Sequence, residues 1–351
     1  MIDKERYSVS VLCMTYNHAK YIKDSMDGFC MQQTSFPYIC VVIDDASLDG
    51  EQKVISEYLH AHFSLDDEGI VRREETDNYV MVFARHKQNL QCYFAVFFLK
   101  NNHYSKHIPK EPYYEEWWAN TEYLAFCEGD DYWIDPHKLQ KQVDFMEKNP
   151  DYGMVCTASK IYVQGEGMMD AVFGHAYRGF EDLLKGNYIF NATVLKRNSE
   201  EKLYCEEIGY QPNWMMGDWP RILHCAIVSK IGYIEEPTSV YRVLPESASH
   251  FECFEKFKEF NENSASVSKF FIEKYNLDAE RLCPQLDSWL QKRLLMKACS
   301  VGDVKLVNEY KQNIKGLSMK EKFTIFLASN NLTYLLLSFY RKMRIAFLKV
   351  C

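Results

Sequence analysis

The chain has 351 residues, enough for about two domains if one domain takes roughly 150 residues. Hydrophobic residues make up 47% and charged residues 26% of the chain, a composition typical of a folded protein with a sizeable core. The formal net charge of -8 argues against a general nucleic-acid binder, because phosphate contacts need clustered Lys and Arg.

The cysteines and apolar runs favour a cytoplasmic protein. The twelve cysteines are scattered from Cys13 to Cys351 without a C-x-x-C pair, so neither a zinc ribbon nor a thioredoxin-like motif is predicted. We expect reduced, mostly buried thiols. No run reaches the roughly 18 apolar residues that cross a bilayer, and the N-terminus lacks an apolar signal-peptide region. These features predict a soluble or peripheral protein.

Strand and helix signals alternate over the first 160 residues, which predicts an α/β fold with a mostly parallel sheet. We expect strands at 7–15, 38–43, 79–84 and 122–127, and helices at 19–31 and 51–62. Asp135 and Pro136 then predict the start of a helix, because Asp caps helices and Pro suits the first helical position. Further strands are expected at 154–158, 192–195 and 238–242.

Three polar clusters follow predicted strands of this sheet, at Thr15-Tyr16-Asn17, Asp44-Asp45 and Glu128-Gly129-Asp130-Asp131. Ligands of open α/β sheets bind at the carboxyl ends of the strands, so the clusters predict a shared binding site. The last cluster places three carboxylates within four residues, and such hard oxygen ligands suit Mg²⁺ or Mn²⁺ together with substrate phosphates. Helix capping by Asp44 and Asp45, or a solvated acidic loop at 128–131, is the alternative.

Three blocks of the chain resemble family 2 glycosyltransferases in the order that this family shows. The blocks are Val9–Asn17, Val41–Gly50 and Glu128–Pro136, and the resemblance covers roughly residues 7 to 250. It is most similar to bacterial enzymes that make surface polysaccharides such as lipopolysaccharide or capsule. The resemblance implies a GT-A fold, a nucleotide-sugar donor that we expect to be a UDP-sugar, a divalent metal, and inverting transfer to an acceptor hydroxyl on a glycan or lipid-linked glycan.

The resemblance also implies roles for individual residues. Tyr16 would pack beside the nucleotide base and Asp45 would accept a hydrogen bond from it. Glu128 and Asp130 occupy the two acidic positions of the family's D-x-D motif, and Asp130 is the strongest candidate for a metal ligand. The remaining predicted donor-binding residues are Thr15, Asn17, Asp44 and Asp131, of which Asp131 is also a predicted metal ligand.

Inverting transfer needs a base that takes the proton of the acceptor hydroxyl. Asp218 opens a predicted helix and resembles the acidic residue that serves as base in this family, although a Gly-Asp pair before a helix is often only a cap. Arg242 could approach the diphosphate or form a surface ion pair. Trp133 and Trp219 could stack on the acceptor sugar, or lie in the core, which is the commoner place for Trp.

Strand signals stop near residue 254 and helical periodicity takes over. We therefore predict a GT-A catalytic domain over 1–260, with a nucleotide-sugar-binding part at 1–135 and an acceptor part at 136–260, followed by a helical region over 261–351. The end of the chain, 331–351, has the apolar spacing and the basic residues of an interfacial helix on an anionic leaflet. Packing of that helix on the catalytic domain is the alternative. The insert at 101–118 receives no role.

Other functional classes are less compatible with the sequence. A Rossmann dehydrogenase would carry G-x-G-x-x-G after the first strand, and a P-loop enzyme would carry G-x-x-x-x-G-K-S/T, but neither motif is present. A catalytically inactive nucleotide-sugar-binding or scaffold protein remains an alternative, as does a nucleotidyltransferase. The sequence does not identify the sugar, the acceptor or the linkage, because a few loop side chains set those choices.

Overall fold

The computed structural model describes residues 7–66, 70–244, 253–312, 314, 316–330 and 333–335. The chain forms two compact units. The first contains the described residues of 1–180, 187–212 and 218–244, and the second contains those of 181–186, 213–217 and 245–351. The division predicted at residue 260 falls inside a helix, Phe254–Lys274.

Strands and helices alternate along the first unit. The described strands are β1 (Val9–Thr15), β2 (Tyr38–Asp44), β3 (Arg72–Glu75), β4 (Tyr79–Arg85), β5 (Cys92–Leu99), β6 (Tyr123–Phe126), β7 (Tyr132–Trp133), β8 (Tyr152–Val163), β9 (Gly167–Phe173), β10 (Leu195–Arg197) and β11 (Lys230–Val243). The helices up to residue 228 are α1 (Ile22–Cys30), α2 (Glu51–His62), α3 (Glu111–Trp118), α4 (Lys138–Lys148), α5 (Phe180–Leu183), α6 (Asn198–Glu207) and α7 (Asp218–Val228). A 3₁₀ turn spans Asn191–Thr193.

The strands form one sheet in the order β3-β4-β5-β2-β1-β6-β10-β8-β11-β7, with β9 paired to β8. Its centre, β5-β2-β1-β6, is parallel, whereas β4 pairs with β5, and β10 with β6, in antiparallel fashion. The predicted α/β fold with a mostly parallel centre is therefore confirmed. The strand predicted at 79–84 is β4. The strand β5, which is antiparallel to β4 and parallel to β2, was not predicted.

Two cores lie on opposite faces of this sheet because successive side chains of a strand point to opposite sides. Every residue of β2 is buried, as expected for a strand covered on both faces. Cys40 and Val42 pack with residues of α1, α2 and α4. Ile39 and Val41 pack on the other face, where Tyr114 of α3 contributes. This two-sided packing fixes the carboxyl ends of β1, β2 and β6 at one edge of the sheet.

Two local predictions need correction. The helix predicted to begin at Pro136 begins at Lys138, because the Asp135 carboxylate accepts a hydrogen bond from the His137 N–H at 2.8 Å and pairs with Lys141 instead of capping a helix. The strand predicted at 192–195 is divided between the 3₁₀ turn and β10.

The second unit is helical, with α8 (Phe254–Lys274), α9 (Ala279–Val301), α10 (Val304–Tyr310) and α11 (Met319–Ala328) among its described residues. Leu294, Leu295 and Ala298 of α9 are at the centre of its core. Ser318 and Glu321 form a capping box at the start of α11. All cysteines in the described ranges are free thiols. No described helix combines the length and apolarity needed to cross a bilayer.

Candidate active site

The turns that follow β1 and β2 are bonded to each other. Asn17 and Ala46 both have left-handed backbone conformations, with φ of 59° and 60°. The Asn17 N–H donates to the Ser47 hydroxyl at 2.9 Å, and the Leu48 N–H donates to the Asn17 side-chain oxygen at 2.8 Å. Asn17 therefore holds the two turns together, and this structural role was not part of its predicted donor contact.

Glu51, the first residue of α2, completes this connection. Its buried carboxylate accepts hydrogen bonds from the Thr15 hydroxyl, from the His18 N–H at 2.8 Å and from the Ser47 hydroxyl at 2.8 Å. Burial raises the pKa of Glu51. No sequence signal marks this role, because Glu at the start of a helix is ordinary. Thr15 thus supports the turn from inside and is itself buried.

The aspartates after β2 are buried and bonded within the protein, although one oxygen of Asp44 accepts no hydrogen bond. Asp44 is buried, and one of its oxygens accepts from the Ser47 N–H at 3.1 Å and from the Gln52 side chain at 2.6 Å. The bond from Ser47 closes a turn between β2 and α2. The N-cap position of α2 is Gly50, so Asp44 does not form the helix cap that the sequence left as an alternative. The predicted donor contact of Asp44 is therefore not supported by its surroundings.

Asp45 is bonded to the segment 101–110, which received no role from the sequence. Its carboxylate accepts from the backbone N–H groups of His103 at 2.6 Å and Tyr104 at 3.0 Å, and it pairs with Lys110 at 2.8 Å. Asp45 is also only 3% exposed. A nucleotide base could bond to this carboxylate only after one of these partners had moved, so the predicted contact with Asp45 needs a rearrangement. The Tyr16 ring, in contrast, is 40% exposed and open to a base.

The acidic turn after β6 lies against the end of β1. A Cβ atom on Gly129 would lie 2.0 Å from the Thr15 hydroxyl oxygen and 2.6 Å from the Thr15 Cβ, so only glycine fits. The Ser25 hydroxyl donates to the Gly129 carbonyl at 3.0 Å. This close packing places Glu128 and Asp130 beside the turn that follows β1.

Glu128 and Asp130 carry negative charge with little compensation from cations. The Glu128 carboxylate accepts a hydrogen bond from the neutral amide of Asn191 at 2.7 Å. Burial, together with the negative charges of Asp130 and Asp218, raises the pKa of Glu128 to about 7, although the bond from Asn191 opposes the shift. The His18 Nε2 lies 3.9 Å from an Asp130 carboxylate oxygen. His18 was not among the predicted site residues.

Asp131 and Arg242 have structural partners, contrary to their predicted roles. The buried Asp131 accepts from the backbone N–H of Arg242 at 2.8 Å. The Arg242 guanidinium bonds to the Asp130 carbonyl at 2.6 Å and to the Asp24 carboxylate, and it lies over the Tyr132 ring. Arg242 is 6% exposed. It therefore clamps the acidic turn to β11. Burial and the negative charges of Asp130 and Glu128 raise the pKa of Asp131, whose carboxylate is bonded to β11.

Within the described ranges, no three His, Cys, Asp or Glu side chains are arranged as a metal cage. Mg²⁺ and similar ions, however, are commonly held by one or two carboxylates together with substrate phosphates and water. Glu128 and Asp130 fit that mode, because they are two carboxylates of one turn. Burial and the negative charges of Asp130 and Asp218 raise the pKa of Glu128, and a bound cation would oppose that shift.

Asp218 is the first residue of α7. Its carboxylate accepts a hydrogen bond from the Asn187 side chain at 3.0 Å. Burial raises the pKa of Asp218, and this bond and the Trp219 backbone N–H oppose the shift. Because the charge of Asp218 contributes to the pKa of Glu128, the structure brings these two carboxylates into one region.

The two tryptophans predicted to stack on an acceptor are core residues. Trp133 is 2% exposed, donates its indole N–H to the Ala192 carbonyl at 2.9 Å and packs against Phe29. Trp219 is 3% exposed. Neither ring has a face open to a sugar, so the alternative of buried core tryptophans is the correct one.

Comparisons with known proteins give the fold. No protein-family model matches the chain. The uncharacterized proteins Rv1520 of Mycobacterium tuberculosis and Mb1547 of Mycobacterium bovis are each 29% identical to it over 238 residues, or 67% of this chain. The chain spans 58% of the length of these curated relatives.

Among solved structures, TarS 1-349 of S. aureus in complex with UDP-GlcNAc is similar to this chain, with a TM-score of 0.50 and 16% sequence identity. The alignment covers 92% of this chain and 79% of that one. TarS is a glycosyltransferase, and the likeness shows the fold. The chain therefore has a GT-A-type α/β fold followed by C-terminal helices, as the resemblance implied.

The contact between Gly129 and Thr15 predicts a specific effect of adding one methyl group. We expect Gly129→Ala to destabilise the protein by about 1–3 kcal/mol, because the new Cβ would overlap the Thr15 side chain. Gly186→Ala is the matched control, since its Cβ would meet Trp289 at an ordinary 3.5 Å. Urea unfolding measures both changes. Equal stability of the two variants would contradict the packing described for the acidic turn.

Proposed function

We propose that this protein is an inverting glycosyltransferase that moves a sugar from a nucleoside-diphosphate sugar to an acceptor hydroxyl. The observation that carries the proposal is the grouping of Asp218 with the acidic turn that follows β6: Asn187 bonds to Asp218 at 3.0 Å, and Asn191, four residues further on, bonds to Glu128 at 2.7 Å. The carboxyl ends of strands are where open α/β sheets bind ligands. The grouping provides a place for a donor diphosphate with its cation on one side and a base on the other.

Donor binding is assigned to the first turn and the acidic turn. The exposed Tyr16 ring offers a stacking surface for the base, and a UDP-sugar is the donor we propose, as UDP-GlcNAc is bound by TarS. Glu128 and Asp130 would hold Mn²⁺ or Mg²⁺, which stabilises the negative charge of a departing diphosphate when it is bound. His18, beside Asp130 at 3.9 Å, is placed to contact the same diphosphate.

Asp218 is the proposed general base. Its ionised carboxylate accepts the proton of the acceptor hydroxyl as the new bond forms between that oxygen and the anomeric carbon. The bond from the anomeric carbon to the diphosphate oxygen breaks at the same time, and the nucleoside diphosphate leaves with its electron pair. Attack from the face opposite the leaving group inverts the anomeric centre. The start of α7 favours the ionised form of Asp218 through the helix dipole.

Replacing the base tests the assignment. We expect Asp218→Asn to lower the transfer rate by about 10²–10⁴-fold while leaving donor affinity unchanged, because the amide cannot accept the proton. The rate of the native enzyme should fall as the pH drops through the pKa of Asp218, which burial raises, since only the ionised form is a base. Release of nucleoside diphosphate measures transfer, and calorimetry measures donor binding. Asp170→Asn, at an exposed position, is the control and should transfer at the native rate. A similar near-native rate in Asp218→Asn would contradict the assignment of Asp218 as the base.

The proposed metal ligands predict a metal-dependent affinity for nucleotide. We expect Mn²⁺ to strengthen UDP binding to the native protein, and EDTA to remove that gain. Asp130→Asn and Glu128→Gln should each lose most of the gain, because each deletes one anionic oxygen ligand. Calorimetric titrations of UDP with and without Mn²⁺ provide the measurement. The same gain in all variants would mean that the cation binds elsewhere.

The products distinguish this proposal from the two alternatives. A transferase releases nucleoside diphosphate slowly from its donor in the absence of acceptor, whereas a nucleotidyltransferase releases pyrophosphate. An inactive binding protein would bind the donor and release neither. The GT-A-type fold and the partly buried Asp218 favour the transferase, because a scaffold has no need to keep a carboxyl group with a raised pKa beside Glu128.

We propose a lipid-linked acceptor and peripheral contact with the inner face of the cytoplasmic membrane. Residues 303–351 contain nine Lys or Arg against three Asp or Glu, although the whole chain has a net charge of -8. On α11 the apolar side chains of Met319, Phe323 and Phe326 are 81%, 62% and 66% exposed. An apolar face beside basic residues suits an anionic leaflet. Most of the basic segment predicted as an interfacial helix, 331–351, lies outside the described residues.

Vesicle binding tests the membrane proposal. We expect the full chain to sediment with vesicles that contain anionic phosphatidylglycerol, and less with neutral phosphatidylcholine vesicles. Deleting residues 331–351, or replacing Phe323 and Phe326 with Ser, should reduce the sedimented fraction severalfold by removing charge or apolar area. Equal sedimentation of the native and altered chains would exclude this contact.

A further inference from the structure

A short segment between α5 and β10 contacts both sides of the candidate active site. Asn187 donates its side-chain N–H to Asp218 at 3.0 Å, and Asn191 donates its side-chain N–H to Glu128 at 2.7 Å. Two neutral amides four residues apart thus bond to the proposed base and to a proposed metal ligand. No motif in the sequence pointed to this segment.

The segment 187–193 is itself fixed to the core of the first unit. Ile189 and Ala192 are 4% and 1% exposed. The Ala192 carbonyl accepts from the Trp133 indole at 2.9 Å, and the Thr193 carbonyl accepts from the Gln142 side chain at 2.8 Å. The backbone that carries both amides is therefore anchored independently of the two carboxylates.

The orientation of the Asn187 amide is determined by its second bond. Its side-chain oxygen accepts the Ile189 N–H at 2.9 Å, so its nitrogen must be the atom that faces Asp218. The donated bond occupies one oxygen of Asp218. Together with the hydrogen bonds that the carboxylate accepts from the Trp219 and Asp218 backbone N–H groups, the bond from Asn187 fixes the direction in which Asp218 faces.

Several groups around Asp218 affect its charge. The negative charge of Asp218 adds to burial in raising the pKa of Glu128, and the positive charge of Arg221, one turn further along α7, favours the ionised form of Asp218. The Trp219 backbone N–H on the same helix acts in the same direction. Arg221 donates a hydrogen bond to the buried Glu201 carboxylate at 2.7 Å. Among the hydrogen bonds described, the side chain that donates directly to Asp218 is that of Asn187.

We infer that Asn187 is a positioning residue for the base, which orients Asp218 toward the acceptor and favours its ionised form. Asn191 bonds to Glu128 from the same anchored segment, so that one segment sets the spacing between the base and the donor diphosphate. This inference rests on the proposed function, because it assigns Asn187 to the Asp218 of that reaction. A hydrogen bond donated to a carboxylate lowers its pKa, and loss of the bond raises it.

The experiment compares pH profiles of kcat/KM for nucleoside-diphosphate release in the native protein, Asn187→Leu and Asn187→Asp. Leu keeps the approximate volume without the donor, and Asp adds a negative charge beside Asp218. The acid limb is the pH range in which kcat/KM falls as Asp218 becomes protonated. We expect this limb to move to higher pH in Asn187→Leu and further in Asn187→Asp. The loss of kcat/KM relative to the native protein should therefore be at least about threefold larger below the limb than on the plateau above it. Asn187 is exposed, so these variants should fold, as melting curves will show. Asn78→Ala, at an exposed turn, is the control with an unchanged profile.

The inference would be overturned if the acid limb stayed at the native pH in both variants. It would also be overturned if kcat/KM fell equally at every pH, because that result indicates a substrate contact or a purely structural role for Asn187. Asp218→Asn separates this failure from failure of the proposed function. If Asp218→Asn is inactive and the limb does not move, only the role of Asn187 is wrong. If Asp218→Asn is fully active, the proposed base is wrong.

Discussion

The concentration of negative charge at the carboxyl ends of β1, β2 and β6 is the constraint on which the site depends. Most of these carboxylates have partners within the protein: Asp45 pairs with Lys110, Asp131 bonds to the backbone of β11, and Glu51 accepts three hydrogen bonds from the turns. Glu128 and Asp218 accept from the side-chain amides of Asn191 and Asn187. The fold therefore gathers carboxylates in the region where a cation and a proton are handled in the proposed reaction.

Contacts on both sides of the acidic turn hold it in place. Arg242 lies over the Tyr132 ring and bonds to both the acidic turn and Asp24 of α1. On the other side of the turn, the absence of a Cβ on Gly129 allows Thr15 to approach closely. Packing and one buried guanidinium thus oppose the repulsion between the carboxylates. Burial and the remaining repulsion raise the pKa of Glu128.

Sequence reasoning identified the fold and the acidic clusters because both depend on local patterns. The helix predicted at 51–62 coincides with α2, and the apolar runs before Asp44 and Glu128 are strands. It did not find β5, whose antiparallel neighbour β4 carried a similar apolar pattern. Nor could it find the contacts of Asp45 with 101–110 or of Asn187 with Asp218, since partners that are about 60 and 31 residues apart leave no periodic signal. The burial of a single Arg or Trp side chain, like a long-range contact, leaves no periodic signal. The sequence therefore allowed Arg242 to approach the diphosphate and Trp133 and Trp219 to stack on the acceptor, although all three are buried.

The most direct measurement is anomalous diffraction from crystals grown with UDP and Mn²⁺. The account predicts an anomalous peak within coordination distance of Asp130 and Glu128 and of the diphosphate oxygens, with the uracil beside Tyr16. A nucleotide bound at this edge without an ion near either carboxylate, or an ion held elsewhere on the chain, would contradict the central claim.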